Sequence, residues 1–117
     1  MNDTALWYAS IAHLAQAIRD KTLSPVELMA AIFVRIQALE PNLNAYITLL
    51  ENEARQAARA AEAALMRGDE LGPLHGIPFA VKDLTWTQGV RTTMGSPISE
   101  SFIPSEDAIP VARLKRA

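Results

Sequence analysis

The chain contains no cysteine. That excludes a disulfide framework and any thiolate-held metal, and it fits a reducing, cytoplasmic setting, which is the expected location. Aromatic residues make up only 6% of the chain and there are five glycines, so neither a stacking surface nor a glycine-rich low-complexity segment is present. No apolar run approaches the roughly 20 residues needed to cross a bilayer, and no membrane partner is expected. Asp3 precedes every basic residue and no long apolar segment follows, so a secretory leader is not expected either. Charge of one sign is also lacking. Eleven Lys and Arg face thirteen Asp and Glu, for a net charge of −2, and the basic footprint of a nucleic-acid binder is missing. The cluster Arg113-Leu114-Lys115-Arg116 is too short for a binding arm and reads as a solvated helix face. There is no Gly-x-Gly-x-x-Gly or Walker pattern. The two histidines, His13 and His75, lie far apart without an acidic cluster. No cofactor and no metal are expected.

What is present is a chain of 117 residues, half of them hydrophobic, which is one domain or part of one. Chains of this size bury well over half of their unfolded surface. Ser10 is placed to cap a helix over about 11–20, with Ile11, Leu14, Ala15 and Ile18 on one face. Ser24, Pro25 and Glu27 form a Ser-x-x-Glu capping box with proline at the first helical position. The helix they open lines up Met29, Ile32, Phe33, Ile36 and Leu39, and Pro41 is expected to stop it. The two helices are expected to pair as a hairpin over about 10–40.

Residues 45–50 form the first strand candidate, because Tyr46, Ile47 and Thr48 favour extended structure. A helix over about 52–66 follows, with Ala54, Ala57, Ala58, Ala61 and Leu65 as its stripe and Arg67-Gly68 as its stop. The run Ile77–Lys82 is almost continuously apolar, as in a strand buried on both faces of a parallel sheet. Strand, helix and strand over about 45–82 read as a βαβ unit, so the expected fold class is α/β. From Asp83 to Glu106 no period is visible, and a loop of that length is unusual in a compact domain. Asp107 is placed to cap a last helix from about Ala108, with Pro110 tolerated in its first turn.

Lys82 is the candidate for chemistry. At the carboxyl end of a strand it sits where open α/β sheets bind ligands, and partial desolvation there would lower its pKa and make it a base. The alternative is a lysine that snorkels to water beside Asp83. Asp83 either orients Lys82 or bonds the loop backbone, and the second role is favoured, as aspartates at turns readily bond nearby N–H groups. His75 is read as a structural histidine bonded to a backbone carbonyl, and Gly89 and Gly95 as turns at positive φ. Trp86 either lines a pocket or covers a sheet edge.

Five segments occur in a fixed order: Ser24-Pro25-Val26-Glu27-Leu28, Pro41-Asn42-Leu43-Asn44-Ala45-Tyr46, Leu71-Gly72-Pro73-Leu74-His75-Gly76-Ile77-Pro78 with Val81-Lys82-Asp83, Thr92-Thr93-Met94-Gly95-Ser96, and Asp107-Ala108 through Leu114. Together they resemble the start of the amidase signature family. The resemblance implies an α/β/α sandwich with a mixed sheet, of which residues 1–117 are the N-terminal portion of a single domain. It implies hydrolysis of linear carboxamides by a Ser–Ser–Lys triad without metal or cofactor. Lys82 would be the catalytic lysine that relays protons through a middle serine to the nucleophile. The family's glycine- and serine-rich segment lies downstream of this pattern, so the chain by itself is expected to be inactive. Its expected partners are a small-molecule amide in the complete enzyme and a complementing C-terminal segment, or else another copy of itself. The competing reading is a non-catalytic αβ interaction module, or one component of an assembly completed by a separate chain.

Overall fold

A computed structural model describes residues 2–117. Five α-helices and one 3-10 turn account for its regular structure: α1 Asp3–Tyr8, α2 Ile11–Arg19, α3 Pro25–Leu43, α4 Glu51–Arg67, the 3-10 turn Pro97–Ser99, and α5 Ile109–Arg116. The chain divides into two compact units, one ending at Pro78 and one running Phe79–Ala117.

The first unit is a helical assembly built on caps that the sequence announces. Ser10 caps α2 by accepting the His13 N–H. Ser24 accepts from Val26 and Glu27, and the Glu27 carboxylate returns a bond to the Ser24 N–H, which completes the capping box. The Ser24 hydroxyl also donates to Glu62 Oε1 at 2.5 Å, so one cap ties the start of α3 to the face of α4. The short helix α1 was not legible in the sequence. Asn2 caps it, and Trp7 Nε1–H donates to the Ala31 carbonyl of α3 at 2.8 Å. The Arg35 guanidinium lies 4.8 Å from the Trp7 ring centroid.

Leu6, Leu14, Ala17, Ile18, Leu23, Leu28, Ala31 and Leu65 form the core of this unit, with Trp7, Ile32, Leu71 and Ile77 packed against it. Each fully buried leucine or isoleucine contributes about 1.5–3 kcal/mol of transfer free energy. The buried face of α3 runs through Pro25, Leu28, Ala31 and Phe33; of the expected stripe Phe33 is buried and Ile32 packs on the core, while Met29, Ile36 and Leu39 are half-buried. On α2, Ile11 is exposed and Ala17 is buried in its place. On α4, only Ala58 and Leu65 of the alanine stripe are fully buried. Periodicity finds a helix, but a chain rich in alanine and branched aliphatics offers several faces that can pack.

Pro41 does not stop α3. It lies inside the last turn, and the helix runs on to Leu43. The stop is Asn44, which takes the left-handed conformation and donates its N–H to the Glu40 carbonyl. Asparagine tolerates that conformation at a helix C-terminus. A proline so close to the end removes a single N–H from the ladder, which the final turn survives.

The expected α/β fold class, with its βαβ unit and mixed sheet, is overturned. Among the described residues no strand is formed. Residues 45–50 bend, with the Tyr46 N–H held by the Glu40 carboxylate at 2.7 Å, and the Thr48 hydroxyl is buried without a partner. Residues 77–82 have no ladder, and Phe79 is 45% exposed. Their apolar, β-favouring composition is real. A strand, however, is completed only by the N–H and C=O groups of a neighbouring chain segment, and these residues provide no such neighbour.

Gly76 shows how closely the first unit is packed. Its φ is +77°, and a Cβ there would lie 2.9 Å from Pro25 Cγ and 3.4 Å from Ile18 Cδ1. Gly68 has a similar φ of +80° with open space around it. An alanine at either site costs about 1 kcal/mol or more for the left-handed backbone, and only at Gly76 is a steric cost added. Urea denaturation should therefore show Gly76→Ala lowering the midpoint further than Gly68→Ala. Equal shifts would mean that the contact with Pro25 relaxes freely.

Candidate functional site

Lys82 belongs to the second unit and is exposed. Its carbonyl accepts the Thr85 N–H at 2.8 Å, closing a turn immediately after it. Its neighbour Asp83 organises the loop that follows. One Asp83 carboxylate oxygen, Oδ1, accepts the Thr93 N–H at 2.8 Å. The other, Oδ2, accepts the Thr93 hydroxyl and the Gly95 N–H. The Asp83 carbonyl takes the Met94 N–H at 3.2 Å. Three consecutive residues, 93–95, are thus held by one aspartate. Met94 sits at φ +57° and Gly95 at +67°. A methionine in that region is uncommon, and here four hydrogen bonds to Asp83 maintain it. The Asp83 carboxyl is held below the 3.8 of an ordinary aspartate, first by the Thr93 hydroxyl and then by the Thr93 N–H, against a smaller opposing effect of burial. The Gly95 N–H and the Arg91 charge lower it further.

The stretch 83–106, which shows no period in sequence, closes on itself through further bonds. The Thr92 N–H donates to the Phe102 carbonyl, and the Gly89 N–H donates to the Pro104 carbonyl. Arg91 Nε donates to the Glu100 carbonyl. Trp86 meets Phe102 edge to face at 5.3 Å between centroids, and its carbonyl takes the Ala108 N–H. Thr92 and Thr93 are buried, the former with its hydroxyl bonded to the Val90 carbonyl.

Asp107 does not cap α5, whose N-cap is Ala108 without a side-chain bond. Its carboxylate instead accepts the Gln88 N–H at 2.7 Å and pairs with Lys115 at 2.8 Å. It links the loop to the far end of α5, and the Lys115 contact followed by the Gln88 bond lowers its pKa. A second carboxylate clamp thus lies where the sequence pattern indicates only a cap. Its signal was the pairing of Asp107 with a lysine two turns along the helix.

The remaining polar candidates take structural places. His75 Nε2 lies 2.8 Å from the Ala61 carbonyl, the backbone contact expected of it. His13 is exposed on α2. Among the described residues no three His, Cys, Asp or Glu side chains cluster as metal ligands, and no helix is long and apolar enough to cross a membrane. A surface depression of about 610 Å³ is lined by Ile36, Gln37, Glu40, Pro41, Asn44 and Leu49. It contains no nucleophile, and its one carboxylate is engaged with Tyr46.

The sequence model of the family described as Amidase matches residues 27–117. The chain belongs to the amidase family. The chain is 41% identical over 112 residues to the A subunit of the glutamyl-tRNA(Gln) amidotransferase of Carboxydothermus hydrogenoformans, covering 96% of the chain and 23% of that relative. The corresponding protein from Desulfosudis oleivorans is 46% identical over 109 residues, covering 92% and 22%. The chain thus spans about a quarter of the length of the curated relatives it matches. A solved structure described as an unexpected vestigial protein complex, bearing on the origins of an s-triazine catabolic enzyme, superposes with a TM-score of 0.85 at 30% identity. That match covers 92% of this chain and 24% of the other.

Both aspartates carry a pH signature. A carboxyl with a lowered folded-state pKa adds stability that is complete above its unfolded value and is lost as pH falls through the folded value. The 93–95 turn should therefore hold through pH 3.8 and open only below it. In an NMR titration the Thr93 and Gly95 amide shifts should move with a midpoint under 3.8, as should that of Gln88 beside Asp107. Asp83→Asn should abolish the first transition and leave the second. A Thr93 midpoint at or above 3.8 would contradict the assignment.

Proposed function

We propose that these residues are the N-terminal portion of a single-domain amidase-type hydrolase that cleaves carboxamide C–N bonds. Lys82 is its proton-relaying base, and the two serines of a Ser–Ser–Lys triad lie outside residues 1–117. The observation that carries the reading is the placement of Lys82 next to the Asp83-held turn, within the segment that matches the family. The neutral lysine takes a proton from a middle serine, which takes one from the nucleophile as it attacks the carbonyl. The resulting lysinium returns a proton toward the departing amine, leaving an acyl-enzyme that water hydrolyses. On this reading the 117-residue chain alone turns over no amide, because a base without a nucleophile forms no acyl intermediate.

A second reading is supported by the relatives' own descriptions, one naming a component of an amidotransferase and the other a protein complex. In it, this polypeptide works in association with a separate chain. Exposed apolar side chains occur in each unit, Ile47 and Leu49 in the first and Phe79, Leu84 and Ile98 in the second, and they favour surfaces that another polypeptide covers.

Lys82→Ala tests the catalytic role in the whole protein that contains this segment. On a panel of primary carboxamides its rate should fall at least ~100-fold, the scale of a positioned acid–base group. Its circular dichroism should be unchanged, since the lysine is exposed. Near-full activity in the folded variant would refute the role of Lys82. Turnover by the isolated 117 residues, lost on mutating one of their serines, would refute the division of the triad.

A further inference from the structure

We propose that Asp83 is a positioning residue for Lys82: by clamping Thr93, Met94 and Gly95 it fixes the backbone from which the lysine side chain projects, an inference that rests on the base role of Lys82. The lysine itself is exposed, and among the described residues its ammonium has no hydrogen-bond or ion-pair partner to direct it. Its flexible four-carbon stem leaves such a group free to sample many directions. A relay requires the nitrogen within hydrogen-bond reach of its partner. Among the described residues the order that bears on Lys82 comes from its main chain, which is restrained at its carbonyl and at the residue that follows. The carbonyl oxygen is held by the Thr85 N–H. The next residue is held at its carbonyl by Met94 and at both carboxylate oxygens by Thr93 and Gly95.

Two further observations fit a device built for placement. The clamped turn keeps Met94 in the left-handed region at φ +57°. Such strain persists only where the surroundings over-determine it. The bonding Thr93 is 6% exposed, so its hydroxyl is shielded and its bond to the carboxylate is not exchanged for water. The charged groups that bear on Asp83 are Arg91, which lowers its pKa, and the adjacent Lys82. Asp83 makes no contact with the reacting atoms in this scheme and acts only through the lysine.

A double-mutant cycle in the whole protein separates positioning from general support. Asp83→Asn keeps the shape and loses the charge that Thr93 and Gly95 bond. Its kcat should fall by about 10- to 100-fold with KM nearly unchanged, the effect of misplacing a catalytic group by a fraction of an ångström to an ångström. Combined with Lys82→Ala, it should cost nothing further, because there is no lysine left to place. Thr93→Val, which deletes the hydroxyl while filling the same space, provides the same cycle should Asp83→Asn fail to fold. Thr93→Ser should retain more activity than Thr93→Val. Additive losses in the cycle, or a wild-type kcat in folded Asp83→Asn, overturn the positioning role alone. An active Lys82→Ala overturns the base role and this inference with it.

Discussion

Every backbone N–H and C=O removed from water must find a partner, and the way this chain meets that demand shapes the rest of its structure. Helices meet it within themselves, four residues apart, and the first unit is accordingly helical. The long loop of the second unit meets it with turns and with two carboxylates. Asp83 takes the amides of residues 93 and 95, and Asp107 takes that of residue 88. The segments 45–50 and 77–82 meet it in part locally, through the Glu40 carboxylate on the Tyr46 N–H and the Thr85 N–H on the Lys82 carbonyl, and would meet the rest by pairing with another strand. They have no such neighbour, and no sheet forms among the described residues.

The carboxylate clamps also explain how a stretch without hydrophobic period becomes a defined object. Few large side chains are buried between residues 83 and 108. Order there comes from charge-assisted hydrogen bonds, which are shorter and stronger than neutral ones. They impose local strain at Met94 and in exchange fix the exit from Lys82, the residue proposed as the base. A flexible cation on a rigid main chain is a sensible arrangement for a proton relay, since the head can swing while its origin stays put.

The starts of α2 and α3 and the family were legible in the sequence. Ser10, Ser24, Pro25 and Glu27 act as their types dictate, because a cap needs only the three or four residues beside it. His75, Gly89 and Gly95 likewise took the places their chemistry indicated. The candidate site was legible as a lysine followed by an aspartate and a threonine-glycine loop. That Thr93 supplies both a hydroxyl and an amide to Asp83 was not legible, since nothing in the spacing from 83 to 93 fixes which loop donors arrive at the carboxylate.

The sequence alone therefore determined where α2 and α3 begin, which residues punctuate the loops, and to which family the chain belongs. All of these depend on interactions within a few residues or on the order of motifs. Tertiary structure alone decided the buried face of α3, the survival of that helix past Pro41, the helical α1 held by the Trp7 bond to Ala31, and the unpaired state of 77–82. Each of these depends on what stands opposite. An apolar run is equally suited to a strand or to an extended segment, and only the presence or absence of a hydrogen-bonding neighbour separates the two.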